Sequence, residues 1–204
     1  MSAPFSVSLV TMRATERAHE AVRAIVRAGD HVIDATAGNG WDTCFLAGLV
    51  GPEGRVFAFD IQEEAIASTK SRLVAQGFKD ERVILIHESH AALQRHIEEP
   101  VAAVMFNLGY RPGGDHELRT HREETLTALA EGWTALREGG VMSVVCYRGH
   151  PGGMEEGEGV LEFAGRLQGR GAVVGISGKK ESEAGPFLVV LKKRQPEDFS
   201  EPSW

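Results

Sequence analysis

Seven short runs rich in Val, Ile and Phe recur along the chain, at His31–Ala35, Arg55–Asp60, Arg82–His87, Val101–Asn107, Val141–Tyr147, Ala172–Ser177 and Phe187–Lys192. They are too short for helices and do not alternate apolar with polar, which predicts strands buried on both faces. Between the first five lie stretches of helical spacing. Thr15–Arg27 opens on a Thr cap and sets Ala18, Val22, Ile25 and Val26 on one face. Glu63–Gln76 carries Ala65, Ile66, Leu73 and Val74 and stops at Gly77. Glu117–Arg137 carries Leu118, Leu126, Leu129, Trp133 and Leu136 and stops at Gly139-Gly140. This alternation predicts an α/β fold with a doubly wound, mostly parallel, seven-stranded sheet of the Rossmann-like kind. The polar link Gly178–Pro186 is too short for a crossover helix, so the last two strands are expected to return antiparallel.

No linker or repeat splits the 204 residues, so residues 1–204 are expected to form one domain, with a tail from Gln195 that frays or docks through Trp204. With 42% hydrophobic and 25% charged residues the chain is not disordered as a whole. No apolar stretch approaches the ~18 residues of a membrane span, and MSAPFSVSLVTMR does not read as a secretory signal. Cys44 and Cys146 are too few for a disulfide scaffold and fit a reducing cytoplasm. A net charge of −7 excludes coating nucleic acid by bulk electrostatics but leaves local basic clusters open. Part of the acid is expected in flexible places: Glu155, Glu156 and Glu158 in a glycine-rich loop, and Glu197, Asp198 and Glu201 in the tail.

The sharpest local signal follows the first strand: Asp34-Ala35-Thr36-Ala37-Gly38-Asn39-Gly40-Trp41-Asp42-Thr43. Glycines there let backbone approach a ligand at the carboxyl end of the sheet. A dinucleotide fingerprint wants a third glycine where this chain has Thr43. Asp34 would repel a pyrophosphate but suits the ammonium of an amino-acid moiety. Both features favour S-adenosylmethionine over NAD. Asp60 ends the second strand 22 residues after Gly38, the place for an acid accepting from ribose hydroxyls. Ser89 and His90 follow the third strand, where an adenine edge would be read. The alternative is a tight turn with ordinary loop residues.

The fourth strand ends in Asn107-Leu108-Gly109-Tyr110. An amine nucleophile needs its lone pair free and its protons accepted elsewhere; an Asn oxygen and a backbone carbonyl serve that need, and an aromatic ring stacks on a base. The arrangement resembles the Asn-Pro-Pro-Tyr pattern of amino-group methyltransferases, with Leu108 and Gly109 replacing both prolines. The plain alternative is an Asn capping a turn. Arg111-Pro112-Gly113-Gly114-Asp115-His116 follows, in which Asp115 either orients His116 and takes a proton or caps the next helix. A second Pro-Gly-Gly loop, Tyr147-Arg148-Gly149-His150-Pro151-Gly152-Gly153, comes after the fifth strand and would face the same crevice. His87 and His90 lack a third ligand, so no metal is expected. Arg13, Arg17, Arg23 and Arg27 read as solvated charges open to phosphate contact.

At these residues the chain resembles the small bacterial methyltransferases labelled as rRNA methylases. The resemblance runs from about Thr15 to Lys192 and rests on DATAGNGWDT, FDIQ (Phe59 to Gln62), NLGYRPGGDH and YRGHPGG in that order. It implies methylation of the primary amine of 5-aminomethyl-2-thiouridine at the tRNA wobble position, in the anticodon stem-loop. It also implies methyl-donor contacts at Asp34, Gly38, Asn39, Gly40, Asp42, Thr43, Asp60, Gln62, Ser89 and His90, and substrate around Asn107, Tyr110, Arg111, Asp115, His116, Tyr147, His150 and Gly153. The roles of Asn107, Tyr110, Asp115 and His116 in catalysis are read from their chemistry. Methylation of rRNA or of a small amine, an NAD-dependent oxidoreductase and a noncatalytic RNA-binding protein are the rivals. A homodimer would supply phosphate-binding surface that one acidic protomer lacks.

Overall fold

A computed structural model describes residues 12–78, 81–109, 121–178 and 185–195. All seven expected strands are present: β1 (His31–Asp34), β2 (Arg55–Phe59), β3 (Val83–Ile86), β4 (Val101–Leu108), β5 (Leu136–Cys146), β6 (Val173–Ser177) and β7 (Phe187–Lys192). They form one sheet in the order β3-β2-β1-β4-β5-β7-β6. The five strands β3 to β5 run parallel, while β7 lies antiparallel between β5 and β6. The chain winds outward from β1 to β3, then crosses back to place β4 on the other side of β1. That reversal opens a crevice at the carboxyl ends of β1 and β4, where α/β sheets bind ligands.

Helices cover both faces. α1 (Ala14–Arg23), α2 (Trp41–Val50) and α3 (Glu63–Ala75) bury Val22, Leu46 and Leu73 with Val32 and Val145 of the sheet. The other face carries a short 3-10 helix (His90–Arg95), α4 (Arg122–Ala135) and α5 (Gly153–Gln168), packed through Leu93, Leu129 and Phe163 on Phe106, Met142 and Phe187. No helix among the described residues is long and apolar enough to cross a membrane.

Three expectations need correction. The first helix is capped at Arg13, so Thr15 lies inside it and is not its cap, and it ends at Arg23 instead of Arg27. The helix predicted to run to Arg137 ends at Ala135, because Leu136 turns to extended backbone (φ −63°, ψ 132°), is buried and pairs with Val101. The register then shifts, Ala103 pairing with Val141, and Gly139 at φ 72° absorbs the bulge. The segment holding Glu155, Glu156 and Glu158 is helix α5, not a loop. Its glycines lower helix propensity yet serve packing: a Cβ at Gly157 would stand 3.1 Å from the Phe187 ring. Glu156 points inward, buried, and accepts from the Thr125 hydroxyl at 2.5 Å.

Candidate active site

The turn after β1 is built by its own polar residues. Asp34 is fully buried beneath it, accepting from the Thr43 hydroxyl at 2.6 Å and the Thr36 N–H at 3.2 Å. Burial, and next the nearby Asp42 charge, push the Asp34 carboxyl up to about 7. The sequence suggested an acid facing a ligand ammonium; the structure instead spends this carboxylate on the loop's shape. Gly40 is likewise structural. It takes φ 80° at the start of α2, and a Cβ there would stand 2.8 Å from Thr69 Cα of α3. Asp34, Gly40 and Thr43 thus lie behind the wall of the crevice, a cavity of about 730 Å³.

Gly38, Asn39, Asp42, Asp60, Gln62, Ser89 and His90 all line that cavity. Asp60 accepts from the Gly38 N–H at 2.8 Å on one oxygen and from the Gln62 N–H at 2.9 Å on the other. The 22-residue spacing seen in the sequence is therefore a direct contact that fixes the carboxylate. A carboxylate has about four acceptor positions, so each oxygen keeps capacity for a ligand hydroxyl. His90 is buried, and burial lowers its pKa against the opposing pull of the Ala35 carbonyl. Its Nδ1 lies 3.1 Å from that carbonyl and so carries the proton. Nε2 is then a bare acceptor, buried and with no hydrogen-bond partner among the described residues. Exposed Ile61 and Trp41 add apolar surface to the cavity, with the Arg72 guanidinium 3.4 Å over the Trp41 ring.

The chemistry end is organised by Asn107. Its backbone N–H donates to the Thr36 hydroxyl at 2.7 Å, joining the ends of β1 and β4. Its side-chain nitrogen donates to Asp42, whose other oxygen lies 2.6 Å from His19 Nε2. A carboxylate only accepts, so the amide end at Asp42 is the NH2. The Asn107 Oδ1 is left buried in the cavity wall without a partner among the described residues.

Tyr147 and His150 also line the cavity, and burial followed by the Asp42 charge raises the Tyr147 pKa. Gly153 does not line it. The Gly153 N–H donates to the His150 carbonyl at 3.0 Å, and a Cβ would stand 2.6 Å from the Tyr147 carbonyl oxygen, so this glycine lets the loop fold back. Tyr110, Arg111, Asp115 and His116 lie outside the described residues. His87 bonds the Ile61 carbonyl at 3.0 Å, and burial raises both cysteine pKa values. Thr36 and Ile61 reach the cavity from within the DATAGNGWDT and FDIQ motifs, and His19 and Glu124 reach it with no motif to announce them. A smaller groove of about 440 Å³, lined by Arg17 and Gly178, shares Arg13, Thr15 and Tyr147 with the cavity.

The family model described as "Putative rRNA methylase" matches residues 56–192. The chain belongs to this family. A crystal structure from Clostridium thermocellum with the same description superposes with a TM-score of 0.86 at 42% identity, covering 91% of this chain and all of that one. A Streptococcus mutans methyltransferase structure in complex with SAH gives a TM-score of 0.81 at 32% identity, covering 90% and 99%. The tRNA (mnm(5)s(2)U34)-methyltransferase, chloroplastic, of Arabidopsis thaliana is 42% identical, covering 76% of this chain. The chain spans 60% of that plant relative's length. The fold agrees with the doubly wound α/β sheet expected from the alternating pattern, and the family with the resemblance carried by the four motifs.

Proposed function

We propose that the protein is an S-adenosylmethionine-dependent N-methyltransferase that converts 5-aminomethyl-2-thiouridine to its 5-methylaminomethyl form at the tRNA wobble position. The observation that carries this reading is the Asn107 amide in the cavity wall, with its nitrogen tied to Asp42 and its oxygen buried without a partner among the described residues. An acceptor so placed fits the N–H of an amine. The chloroplastic relative's name supplies the substrate class, and the rRNA description of the family is the competing one.

The cavity fits the methyl donor. Asp60 keeps acceptor capacity for ribose hydroxyls, His90 Nε2 offers a lone pair to an adenine N–H, and Ile61 gives an apolar face to a base. When bound, S-adenosylmethionine supplies an activated methyl, the S–C electron pair returning to sulfur as the amine lone pair forms the N–C bond. The chain's own task is placement: Asn107 Oδ1 accepts one amine N–H and leaves the lone pair free to point elsewhere. Positive charge arriving on the nitrogen is stabilised by Asp42 behind the amide. Tyr110, Asp115 and His116 complete the substrate side in this reading, with Asp115 or His116 as proton acceptor and Tyr110, Arg111, Tyr147 and His150 around the nucleoside.

Docking of the anticodon stem-loop on an acidic chain draws on Arg13 and Arg17 in the adjoining groove as phosphate contacts. A homodimer doubles that surface, and light scattering should then give twice the 22.1 kDa chain mass. The deciding experiment is methyl transfer from labelled S-adenosylmethionine to tRNA from cells lacking the last wobble methylation, followed by nucleoside mass spectrometry. A gain of one methyl on 5-aminomethyl-2-thiouridine is expected. No gain with donor binding intact overturns the substrate and moves the search to rRNA and small amines.

A further inference from the structure

His19 stands on α1, outside every motif that carries the site, yet its ring lines the cavity and reaches its chemistry end. Asp42 is nearly buried, at 8% exposure, and holds two donors, one on each oxygen: His19 Nε2 at 2.6 Å on Oδ1 and Asn107 Nδ2 on Oδ2. Because the carboxylate can only accept, His19 carries its proton on Nε2. The imidazole itself is fixed. It stacks on Phe45 with ring centroids 3.8 Å apart and planes within 1°, and the Arg23 guanidinium lies 5.2 Å from the same phenyl centroid. The order of restraint runs from the Phe45 stack to His19, to Asp42, to the Asn107 amide.

We propose that His19 is a positioning residue for methyl transfer: by holding Asp42 it sets the Asn107 amide with Oδ1, not NH2, toward the amine. This rests on the amine-methylating reading above. Without the His19 donor the Asp42 carboxylate is free to turn away from the Asn107 NH2. The amide then loses the contact that fixes its orientation. An amide turned over presents N–H to the amine, occupying the lone pair that must attack and leaving the amine N–H without an acceptor.

Three variants test this. His19→Phe keeps a flat ring for the Phe45 stack and removes the donor. His19→Gln restores a side-chain N–H, and His19→Phe combined with Asn107→Ala asks whether the two residues act as one. On tRNA lacking the last wobble methylation, His19→Phe should lower kcat about 30-fold, within the ~10²-fold that a small misplacement can cost. KM and the SAH dissociation constant should stay within about twofold, and His19→Gln should recover most of kcat. Added to Asn107→Ala, His19→Phe should cost nothing more, since residues acting through one contact are not additive.

A second readout does not depend on turnover. In the wild type the Asn107 side-chain amide protons, assigned by their loss in Asn107→Ala, should resonate downfield from bonding to a carboxylate, and should return toward free-amide positions in His19→Phe. Full kcat in His19→Phe, an equal further loss in the Asn107→Ala background, or unchanged Asn107 amide resonances each overturn the proposal. If the wild type transfers no methyl to this tRNA, the substrate reading fails, and the amide resonances alone decide whether His19 holds Asn107.

Discussion

Two regions of the molecule bury polar side chains and use them in opposite ways. Between α4 and α5, Thr125 and Glu156 meet in the interior, hydroxyl to carboxylate. That seam completes its own hydrogen bond and lines neither of the two cavities described above. At the carboxyl ends of β1 and β4, Asp34, Thr36, Asp42 and Asn107 are also mutually bonded, but the network stops short: Asn107 Oδ1 and His90 Nε2 are buried acceptors without partners among the described residues. An unmade buried bond costs about 1–3 kcal/mol, and two unpaired acceptors on one cavity wall are what the proposed donor and amine N–H groups would satisfy. Ser143 Oγ also has no partner among the described residues, but it sits mid-strand in β5 and off that wall. Only the combination of an open acceptor and a cavity points to a ligand.

The strongest way to break this comparison is Asn107→Ala. If the open oxygen positions the amine, turnover should fall about 100-fold or more, while SAH affinity by calorimetry stays within about twofold, because Asp60 and His90 are untouched. Equal loss of both would make Asn107 a structural member like the seam pair. Thr125→Val probes the other side. It removes the donor to a buried carboxylate and should cost about 2 kcal/mol in urea unfolding, leaving the SAH-induced rise in Tm unchanged. A lost Tm rise would mean the seam serves the site after all.

The same contrast explains what the sequence made legible. The inner strands were readable because those of a doubly covered sheet are continuous apolar runs, and β4 is buried over nearly its whole length, whereas the edge strand β6 is an apolar run left largely exposed. Helix α5 was not, because the glycines that admit Phe187 and Arg122 against it also remove the local signature of a helix. At the cavity, the placement of Gly38 and Asp60 was legible because the turn after β1 and the end of β2 keep a fixed spacing, realised here as one hydrogen bond. His19 was not legible: its partner lies 23 residues away and the contact exists only once α1 packs on β5 and β7. Asp34 was read as ligand-facing because an acid at that motif position carries no sign of which way it points. The fold turned it inward.

Asp34 gives the smallest and most diagnostic prediction, since it sits in the ligand region but is satisfied like the seam. Its carboxyl is raised from 3.8 to about 7, first by burial and next by the Asp42 charge, against the bonds from Thr43 and Thr36. Between those values the folded protein holds a proton at Asp34 that the unfolded chain has released. Folding stability from this group is therefore greatest at low pH, falls as pH rises from about 4, and levels off above about 7, the reverse of an ion-paired carboxylate. Per pH unit inside that window one such proton is worth about 1 kcal/mol. Asp34→Asn removes the titration while keeping an acceptor for the Thr43 hydroxyl. Urea unfolding at pH 5.5 and 6.5 should show wild type losing roughly 1 kcal/mol more than Asp34→Asn over that interval, with other titrations cancelling between the two. Parallel curves would mean Asp34 is ionised throughout. The loop would then hold two buried negative charges side by side, Asp34 and Asp42, with only Thr43, Thr36, His19 and Asn107 to offset them.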